Sequence, residues 1–377
     1  MKIVFLVERP TQFDAPFFRF AARDPEHEFL VVFTSPDIEA PVFDPELGRS
    51  ISWGIELFGG YPHELPSGDP SRWLKERLLP QRWDLLITNG YREPLHQLAA
   101  KLAKQEGTAT ALRMDSVYWD RSAMRNLVRR LRYTLHIKRM YDLFLGAGSM
   151  TLDYLQAFGV SRERMGLFSY AVDVEEFRNR SNLSPAERTA FRERLGVPPA
   201  VQLVLSLTKF IDREAPWDLL RAFGCIGRED LWLVLAGDGD ARADLEWFVR
   251  ERGLNRVRFP GYIPYPELPS LYGASDLFVH PVREELWGVS VQEALACGLP
   301  AVVSSHVGAG YDLIESGGNG FVYAVGDDTE LAARIEDALA LPLEQVRQHS
   351  REILARWDYA ANWRHLLKAA DRVVKRS

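Results

Sequence analysis

The sequence predicts an α/β protein made of two doubly wound domains, each a parallel sheet covered by helices. Short apolar runs alternate with helical patterns along almost the whole chain, as in successive strand–helix–strand units. The 377 residues are too many for one compact core and suit two domains. A polar stretch at 173–200 with three prolines separates two sets of predicted strands, and we interpret it as the interdomain connection.

The predicted strands are short apolar runs rich in branched side chains. In the first half of the chain they are Lys2–Val7, Phe29–Thr34, Asp84–Thr88, Ala109–Arg113 and Asp142–Ala147. In the second half they are Gln202–Leu207, Leu231–Ala236, Val257–Phe259, Asp276–His280, Ala301–Ser304 and Phe321–Tyr323. These sets predict a first domain at 1–172 and a second at 201–358. The helical pattern from Tyr359 to Val374 predicts a C-terminal helix within 359–377 that could pack back on the first domain.

The composition excludes several classes of protein. An apolar content of 46% and a charged content of 26% are typical of a globular protein, and a net charge of −6 gives no general attraction to nucleic acid. Cys225 and Cys297 lack the spacing of a disulfide framework or a zinc site. The opening MKIVFLVERP is too short and too charged for a signal peptide, and no run reaches the roughly 20 apolar residues of a membrane span. We therefore expect a cytoplasmic protein.

Two glutamates, Glu285 and Glu293, stand eight positions apart around the predicted start of a helix. The apolar run at 275–282 predicts a buried strand before Glu285, and Gly298 followed by proline ends the helix after Glu293. At the helical rise of about 1.5 Å per residue, eight residues span roughly 12 Å. Carboxylates that far apart cannot share a proton, but they could hold the two ends of one long ligand.

The backbone between these glutamates is suited to a phosphate group. Gly288, Val289 and Ser290 supply free N–H groups at a predicted helix N-terminus. A sugar, a diphosphate and a ribose along this line would fit a nucleotide-sugar. A solvated helix start whose acidic residues suit the helix dipole explains the same spacing.

Further candidates follow other strands of the second half. Lys209 comes after the strand at 202–207, and Arg213 lies four residues on, so both cations could meet a diphosphate. A solvated loop lysine is the alternative. Gly237-Asp238-Gly239 follows the strand at 231–236 and points to the same edge of the sheet, although a plain turn explains it equally well.

The first half offers one candidate and one exclusion. The turn after the first strand, ERPTQFDAP, lacks G-x-G-x-x-G, which argues against a dinucleotide-dependent oxidoreductase. Asp115 ends a strand beside Arg113, where a carboxylate could orient a hydroxyl or assist proton transfer. A helix cap or turn cap is the commoner role of Asp before Ser.

A basic amphipathic segment runs from Arg121 to Arg139. It holds seven Arg or Lys residues and no acid, interleaved with apolar residues. Such a helix suits an anionic membrane surface or a phosphorylated acceptor, or it is a solvated face whose apolar side packs inward. The candidate surface residues are Arg125, Arg129, Arg130 and Arg132.

The second half resembles a known family. HPVREELWGVSVQEALACGLPAVVS is similar to the block of two glutamates separated by seven residues in the retaining glycosyltransferases of family four, which have the GT-B fold. KFIDREAPWDLLRAF, LVLAGDG, VRFPGYIPYPELPSLYGASDLFVHP and GGNGFVYAVGDDTELAARI follow the order of that family. The resemblance covers about residues 200–340. Before residue 170 it is looser, where Arg9-Pro10 and Arg113-Met114-Asp115-Ser116 resemble loops of bacterial surface-polysaccharide members.

The resemblance implies two Rossmann-like domains facing a cleft and transfer of a sugar from a nucleoside diphosphate to an acceptor hydroxyl, with retention. It implies that Glu285 and the backbone after it contact the donor sugar and phosphates, Glu293 the ribose, and Lys209 the diphosphate. We place Asp115 with Glu285 and Lys209 as catalytic candidates. The other candidate donor-binding residues are Gly288, Val289, Ser290, Arg213, Gly237, Asp238, Gly239 and Tyr262. No cofactor or metal is expected, because cations and helix N–H groups can neutralise the leaving diphosphate.

Two positions depart from the family pattern. Glu214 stands where the family usually has a second lysine, with Arg213 beside it, and the first domain lacks a clear counterpart of the family's catalytic-side histidine. Our leading hypothesis is a cytoplasmic retaining glycosyltransferase of polysaccharide or glycoconjugate biosynthesis, with a glycan, lipid-linked or small-molecule acceptor. The basic segment adds peripheral association with the inner face of the membrane as an option. The alternatives are a nucleotide-sugar epimerase or other non-transferring GT-B enzyme, and a donor-binding scaffold without turnover, which Glu214 favours. The donor base, the sugar and the acceptor stay open.

Overall fold

A computed structural model of the chain describes residues 1–35, 38, 42–51, 54–117 and 133–374. The chain divides into two compact units. Unit 1 consists of residues 1–40, 56–171 and 357–377, and unit 2 consists of residues 41–55 and 172–356. Each unit has its own parallel sheet and its own hydrophobic core.

The described strands, in chain order, are β1 (Lys2–Val7), β2 (Glu28–Phe33), β3 (Val42–Asp44), β4 (Arg49–Ile51), β5 (His63–Glu64), β6 (Leu85–Asn89), β7 (Ala109–Met114), β8 (Leu143–Gly146), β9 (Met165–Leu167), β10 (Gln202–Leu207), β11 (Leu231–Ala236), β12 (Val257–Gly261), β13 (Leu277–His280), β14 (Ala301–Ser304) and β15 (Gly320–Tyr323).

The described α-helices are α1 (Asp14–Ala21), α2 (Pro70–Trp73), α3 (Pro94–Gln105), α4 (Lys138–Met140), α5 (Ser149–Ala157), α6 (Val174–Ser181), α7 (Pro185–Arg194), α8 (Pro216–Cys225), α9 (Arg242–Glu251), α10 (Leu268–Ala274), α11 (Val289–Ala296), α12 (Gly308–Leu313), α13 (Asp328–Leu339), α14 (Leu343–Leu354) and α15 (Tyr359–Val374). Short 3₁₀- or π-helical turns lie at Leu74–Leu78, Leu79–Gln81, Tyr133–Ile137, Arg162–Arg164, Asp212–Glu214 and Tyr265–Glu267. None of the helices within these ranges is long and apolar enough to cross a membrane.

Unit 1 is built on a seven-stranded sheet in the order β5-β2-β1-β6-β7-β8-β9, with every pair parallel. One core cluster contains residues of α1 and α15, and a second contains residues of α3 and α5. Alternate residues of β1 enter different clusters, since Phe5 lies in the first and Leu6 in the second. Burial on both faces explains why this strand is a continuous apolar run.

Unit 2 has a six-stranded parallel sheet in the order β12-β11-β10-β13-β14-β15. Its core cluster combines β10, β11 and β13 with α8 and α13. Because the strands are parallel, the segments after β10, β11 and β13 leave the sheet at the same edge. Lys209, Gly237 and Glu285 come from those segments, so the topology places them at one edge.

The predicted α/β class with two Rossmann-like domains is confirmed. Each of the eleven predicted strands is present, shifted at its ends by two residues or fewer, and the C-terminal helix has the predicted bounds. The prediction lacked β3, β4, β5 and β9, which contain only two or three residues each and are too short to show a periodic pattern.

Two segments lie differently from the sequence-based division. Residues 173–200 form α6 and α7, which pack against α10 within unit 2. One of their charged residues, Arg192, is buried and donates a hydrogen bond to Asp276 at 2.6 Å. Residues 41–55, expected in the first domain, belong to unit 2.

The C-terminal helix packs on unit 1. α15 contacts β8 and β9. A Cβ atom on Gly166 of β9 would lie 2.5 Å from the Cβ of Ala369, so this close approach requires glycine. Trp363 of α15 donates a hydrogen bond from Nε1 to Asp24 at 2.7 Å. The helix is therefore an integral part of the unit 1 core.

Candidate functional site

The loop that carries Glu285 joins β13 to α11 and is held on both sides by the backbone. The Glu285 N–H donates to the carbonyl of His306 at 3.0 Å, and its carbonyl accepts from the Gly308 N–H at 3.0 Å. Gly288 precedes α11 with a φ of +100°, and a Cβ there would lie 2.9 Å from the Val307 side chain. Glycine is therefore required for the chain to turn into the helix N-terminus. Glu285 itself is half-buried.

Glu293 lies in the second turn of α11 and points into the interior of unit 2. Glu293 is only 3% exposed, and the Tyr272 hydroxyl donates a hydrogen bond to its Oε2 at 2.9 Å. Burial raises the pKa of Glu293 to about 7, and the hydrogen bond from Tyr272 opposes that rise. The carboxyl therefore changes protonation near neutral pH.

The GDG turn holds the loop that carries Lys209. A Cβ on Gly237 would lie 1.8 Å from the Thr208 carbonyl oxygen, so only glycine permits this approach. Phe210 donates its N–H to the Asp238 carbonyl at 2.9 Å. The loops that follow the neighbouring strands β10 and β11 are thus joined by a hydrogen bond. The glycines of the turn therefore have a structural role of their own.

The cations Lys209 and Arg213 are both paired with acids of the β3–β4 hairpin. The Lys209 ammonium contacts Asp44 at 2.9 Å and Glu46 at 2.5 Å. Arg213 contacts Glu46 at 3.3 Å. Burial lowers the pKa of Lys209, but hydrogen bonds to Glu46 and Asp44 outweigh it, so the net pKa is raised. Sequence reasoning missed Asp44 and Glu46, because a D-P-E-L-G turn reveals no partner 163 positions away.

Glu214, the departure from the family pattern, is buried and paired. Its carboxylate contacts Arg213 at 3.0 Å. Burial raises the pKa of Glu214 to about 7, Arg213 lowers it, and the nearby charge of Glu285 raises it. Lys209, Arg213, Glu214 and Glu285 therefore form one electrostatically coupled group within unit 2.

His280, at the end of β13, is a polar residue of this region that sequence reasoning did not select. It is buried, and among the described residues neither ring nitrogen has a hydrogen-bond partner. Burial, and then the charge of Arg213, lower the pKa of His280 to about 4, so the ring is neutral at physiological pH. Its position before Pro281 at a strand end was the available signal.

Asp115 lies in unit 1, just after β7. It accepts a hydrogen bond from the Tyr170 hydroxyl at 3.1 Å. The neighbouring Arg113 is buried and contacts Asp14 at 2.7 Å, with its guanidinium over the Tyr170 ring at 4.6 Å. Burial and then the charge of Asp115 raise the pKa of Tyr170. Asp115 is thus part of a polar cluster whose members Asp14 and Tyr170 were not selected from the sequence.

The remaining candidates divide between described and undescribed residues. Tyr262 follows β12 and is half-buried. The candidate surface arginines, 125, 129, 130 and 132, lie outside the described residues. The end of the basic segment that is described buries Tyr133 and Ile137 in the unit 1 core. Within the described ranges, no group of three or more His, Cys, Asp or Glu residues is arranged to hold a metal ion.

Comparison with protein families gives a match to one family. The family model described as "Glycosyl transferases group 1" matches residues 187–373, which include the loops of Lys209, Gly237 and Glu285. Residues 187–373 belong to the group 1 glycosyl transferases. The predicted family is thereby confirmed for this segment.

Curated relatives of the group 1 segment are glycosyltransferases. A "D-inositol 3-phosphate glycosyltransferase" of Thermomonospora curvata is 31% identical over 191 residues, which cover 48% of this chain and 44% of the relative. A "2-deoxystreptamine glucosyltransferase" of Streptomyces kanamyceticus is 33% identical over 190 residues, 49% of this chain and 47% of the relative. The chain thus spans less than half the length of these two relatives.

The fold of the whole chain matches that of solved structures, among them a glycosyltransferase from Rickettsia africae with a TM-score of 0.78 at 14% identity, which covers 100% of this chain and 99% of the other. The structure of Anabaena Alr3699/HepE in complex with UDP matches with a TM-score of 0.75, covering 98% of this chain and 100% of the other at 20% identity. The likeness extends over both units of the chain and confirms the predicted GT-B fold.

Proposed function

We propose that this chain transfers a sugar, with retention, from a nucleoside diphosphate donor to an acceptor hydroxyl in glycoconjugate biosynthesis. One observation carries the proposal. At one edge of the unit 2 sheet, the N-terminus of α11, the cations Lys209 and Arg213 and the carboxylate of Glu285 meet within a segment of the group 1 family. UDP in the Anabaena structure supports a nucleoside diphosphate as the leaving group.

The proposed chemistry is electrostatic stabilisation of the departing diphosphate. As the bond from the sugar to the diphosphate breaks, negative charge grows on the phosphate oxygens. The backbone N–H groups after Gly288 and the Lys209 ammonium are donors for that charge. We assign Glu285 to the sugar end of the donor.

Glu293 would hold the ribose. A carboxylate accepts hydrogen bonds from two ribose hydroxyls, and the Tyr272 hydroxyl already orients Oε2. Because the pKa of Glu293 is about 7, its acceptor capacity grows as the pH rises through neutrality.

The acceptor half of the proposal depends on unit 1. Asp115 is our candidate to orient the acceptor hydroxyl or take its proton, with Tyr170 holding one of its oxygens. That the arginines of the basic segment contact an anionic membrane stays a prediction. Cytoplasmic location, a lipid-linked or sugar acceptor and independence from metal ions also stay predictions.

Product analysis tests the proposal. The chain is incubated with UDP- and GDP-sugars, with and without a panel of sugar and lipid-linked acceptors, and products are identified by NMR. We expect nucleoside diphosphate to appear with an acceptor, together with a glycoside that keeps the donor's anomeric configuration. Epimerised sugar without an acceptor would instead support the epimerase alternative, and tight donor binding without turnover would support the scaffold.

The ribose assignment has its own test. Glu293→Gln keeps the shape of the side chain and its bond to Tyr272 but removes the charge. Hydrogen bonds to charged groups are worth roughly 1.5–3 kcal/mol, about twice the neutral value, so the donor KM should rise several-fold to tenfold. Glu251→Gln, on the exposed end of α9, is the matched control. An unchanged KM in Glu293→Gln would place the ribose elsewhere.

A further inference from the structure

The β3–β4 hairpin, residues 42–51, presents two carboxylates from one tight turn; we name it the acidic hairpin. β3 and β4 pair in antiparallel register, with Asp44 opposite Arg49. The Asp44 carboxylate accepts from the N–H groups of Glu46 at 2.9 Å and Leu47 at 3.3 Å. These bonds shape the turn and leave Oδ2 of Asp44 and the Glu46 carboxylate facing the same way.

Both carboxylates contact cations that we assign to the donor diphosphate. Lys209 Nζ lies 2.9 Å from Asp44 Oδ2 and 2.5 Å from Glu46 Oε2. Arg213 Nη2 lies 3.3 Å from the same oxygen of Glu46. An ammonium group has three donors, and the hairpin uses two of those on Lys209.

The acidic hairpin is charged at neutral pH. Burial raises the pKa of Asp44, but the hydrogen bond from Lys209 and its charge outweigh burial and lower it overall. The hydrogen bond from Lys209 is the main cause that lowers the pKa of Glu46. Among the described residues, Arg213 and Glu214 are further charged groups nearby, and Glu285 adds another negative charge. Two negative charges thus face the two cations, as the two ionised phosphates of a nucleoside diphosphate donor would.

Binding of a donor diphosphate beside Lys209 and Arg213 is unfavourable while the carboxylates of Asp44 and Glu46 stay there. A diphosphate brought next to two ionised carboxylates is repelled, and the low dielectric of a partly buried site strengthens that repulsion. Asp44 is only 16% exposed and Lys209 31% exposed, so water screens the contacts incompletely.

We propose that the acidic hairpin is an internal competitor of the donor diphosphate, which occupies Lys209 and Arg213 until a donor displaces it. This inference rests on the proposed function. The apparent affinity of the donor is then the intrinsic affinity multiplied by the fraction of molecules in which the hairpin has left. A site closed in this way also keeps its cations paired when no donor is present.

Calorimetric titration of the full chain with UDP and with inorganic pyrophosphate tests the proposal. The double variant Asp44→Asn/Glu46→Gln removes both charges but keeps the oxygen that shapes the turn. We expect it to bind both probes roughly five- to thirtyfold more tightly, since its competent fraction is larger. The control Glu229→Gln/Glu344→Gln removes two exposed acids of unit 2, each paired with arginine, and should match the wild type.

Lys209→Gln separates the two proposals. Weaker binding in Lys209→Gln, with unchanged or weaker binding in Asp44→Asn/Glu46→Gln, would overturn the hairpin proposal and leave the donor site standing. If Lys209→Gln, made in the Asp44→Asn/Glu46→Gln background where the competitor is already removed, binds UDP and pyrophosphate as that double variant does, the donor site itself is misplaced. The single variant Glu46→Gln repeats the test should the double variant fail to fold.

Hydrogen exchange gives a second readout that does not use a variant. Adding UDP to the wild-type chain should speed exchange of the amides of Glu46 and Leu47, because a two-stranded hairpin this short, once released from Lys209 and Arg213, is only marginally stable and its internal hydrogen bonds open more often. Slower exchange there on binding would show that the hairpin closes over the donor instead, and that result would overturn the proposal.

Discussion

At the scale of single residues, two buried carboxyl groups of unit 2 have raised pKa values, and their neighbours differ. Burial raises the pKa of Glu293, and the hydrogen bond from Tyr272 opposes that rise. Burial and the charge of Glu285 raise the pKa of Glu214, and the charge of Arg213 partly offsets that rise. Both pKa values are about 7. The first carboxyl suits a hydroxyl ligand, whereas the second supports a neighbouring cation.

The raised pKa of Glu293 predicts a pH dependence of stability. The unfolded carboxyl loses its proton near pH 4.5 and the folded one near 7, so between those values the folded state binds more protons. Stability then falls as the pH rises, by roughly 3 kcal/mol for this group. Urea unfolding at pH 5 and 7.5 should show a smaller loss in Glu293→Gln than in wild type. Equal losses would contradict the assigned burial.

The position of Glu214 changes the expected effect of restoring a lysine there. If position 214 faced the phosphates, Glu214→Lys would supply the second lysine of the family pattern and tighten nucleoside diphosphate binding. In the structure the lysine would lie buried beside Arg213 with no acid between them, so we expect weaker UDP binding. Breaking a fully buried pair costs about 3–5 kcal/mol, less here because Arg213 is 38% exposed. Calorimetry and thermal unfolding, with Glu214→Gln as control, check this; tighter binding would restore the original interpretation.

At the scale of elements, function depends on loops at the ends of adjacent strands. The turn after β11 supports the loop after β10, because Gly237 allows the Thr208 carbonyl to approach. This close approach fixes the backbone on either side of Lys209. From sequence, Gly237-Asp238-Gly239 could be either a plain turn or a ligand contact. In the structure it supports the loop that follows a different strand, β10.

Gly237→Ala tests that support. The new methyl group would lie 1.8 Å from the Thr208 oxygen, so the Lys209 loop must move. We expect at least a several-fold loss of UDP affinity and a loss of stability of about 1–3 kcal/mol. Gly253→Ala is the matched control, since Gly253 also has a positive φ but open space around its Cβ position. Equal effects of the two changes would show that backbone strain, rather than the contact, is responsible.

At the scale of the whole molecule, each unit has its own core and its own buried charges. In unit 1, Arg113 and Asp14 form a buried pair at 2.7 Å, next to Asp115. Removing the arginine leaves a buried, uncompensated carboxylate. The resulting loss of stability should therefore appear first in unit 1, which contains the pair.

Arg113→Leu should destabilise unit 1 by about 3–5 kcal/mol. Hydrogen exchange should quicken in β1, β6 and β7 and stay near wild type in β10, β11 and β13. The control Arg72→Leu breaks an exposed pair with Glu76 and should cost less than about 1 kcal/mol. Equal acceleration in both sheets would show that the two units unfold as one.

Much of the fold could be predicted from sequence, because buried parallel strands such as β10 and β11 are continuous apolar runs. The same patterns place Lys209, Gly237 and Glu285 at one edge of a sheet. The contact of Lys209 with Asp44 and Glu46 could not be predicted, since it joins an irregular turn to a loop 163 positions away. Glu214 shows the same limit: its identity favours a donor-binding scaffold without turnover, and only the structure shows that it is buried and paired with Arg213.

The position of α15 also bears on how the chain folds during synthesis. Proteins made on the ribosome generally fold their N-terminal domain first. Here Trp363 and Leu366 belong to the core of unit 1, although they are translated after every residue of unit 2. Unit 1 therefore keeps part of its apolar surface uncovered until α15 has been made, whereas every residue of unit 2 has been translated before that helix. Nascent chains stalled before residue 357 should accordingly depend on chaperones through their first 171 residues.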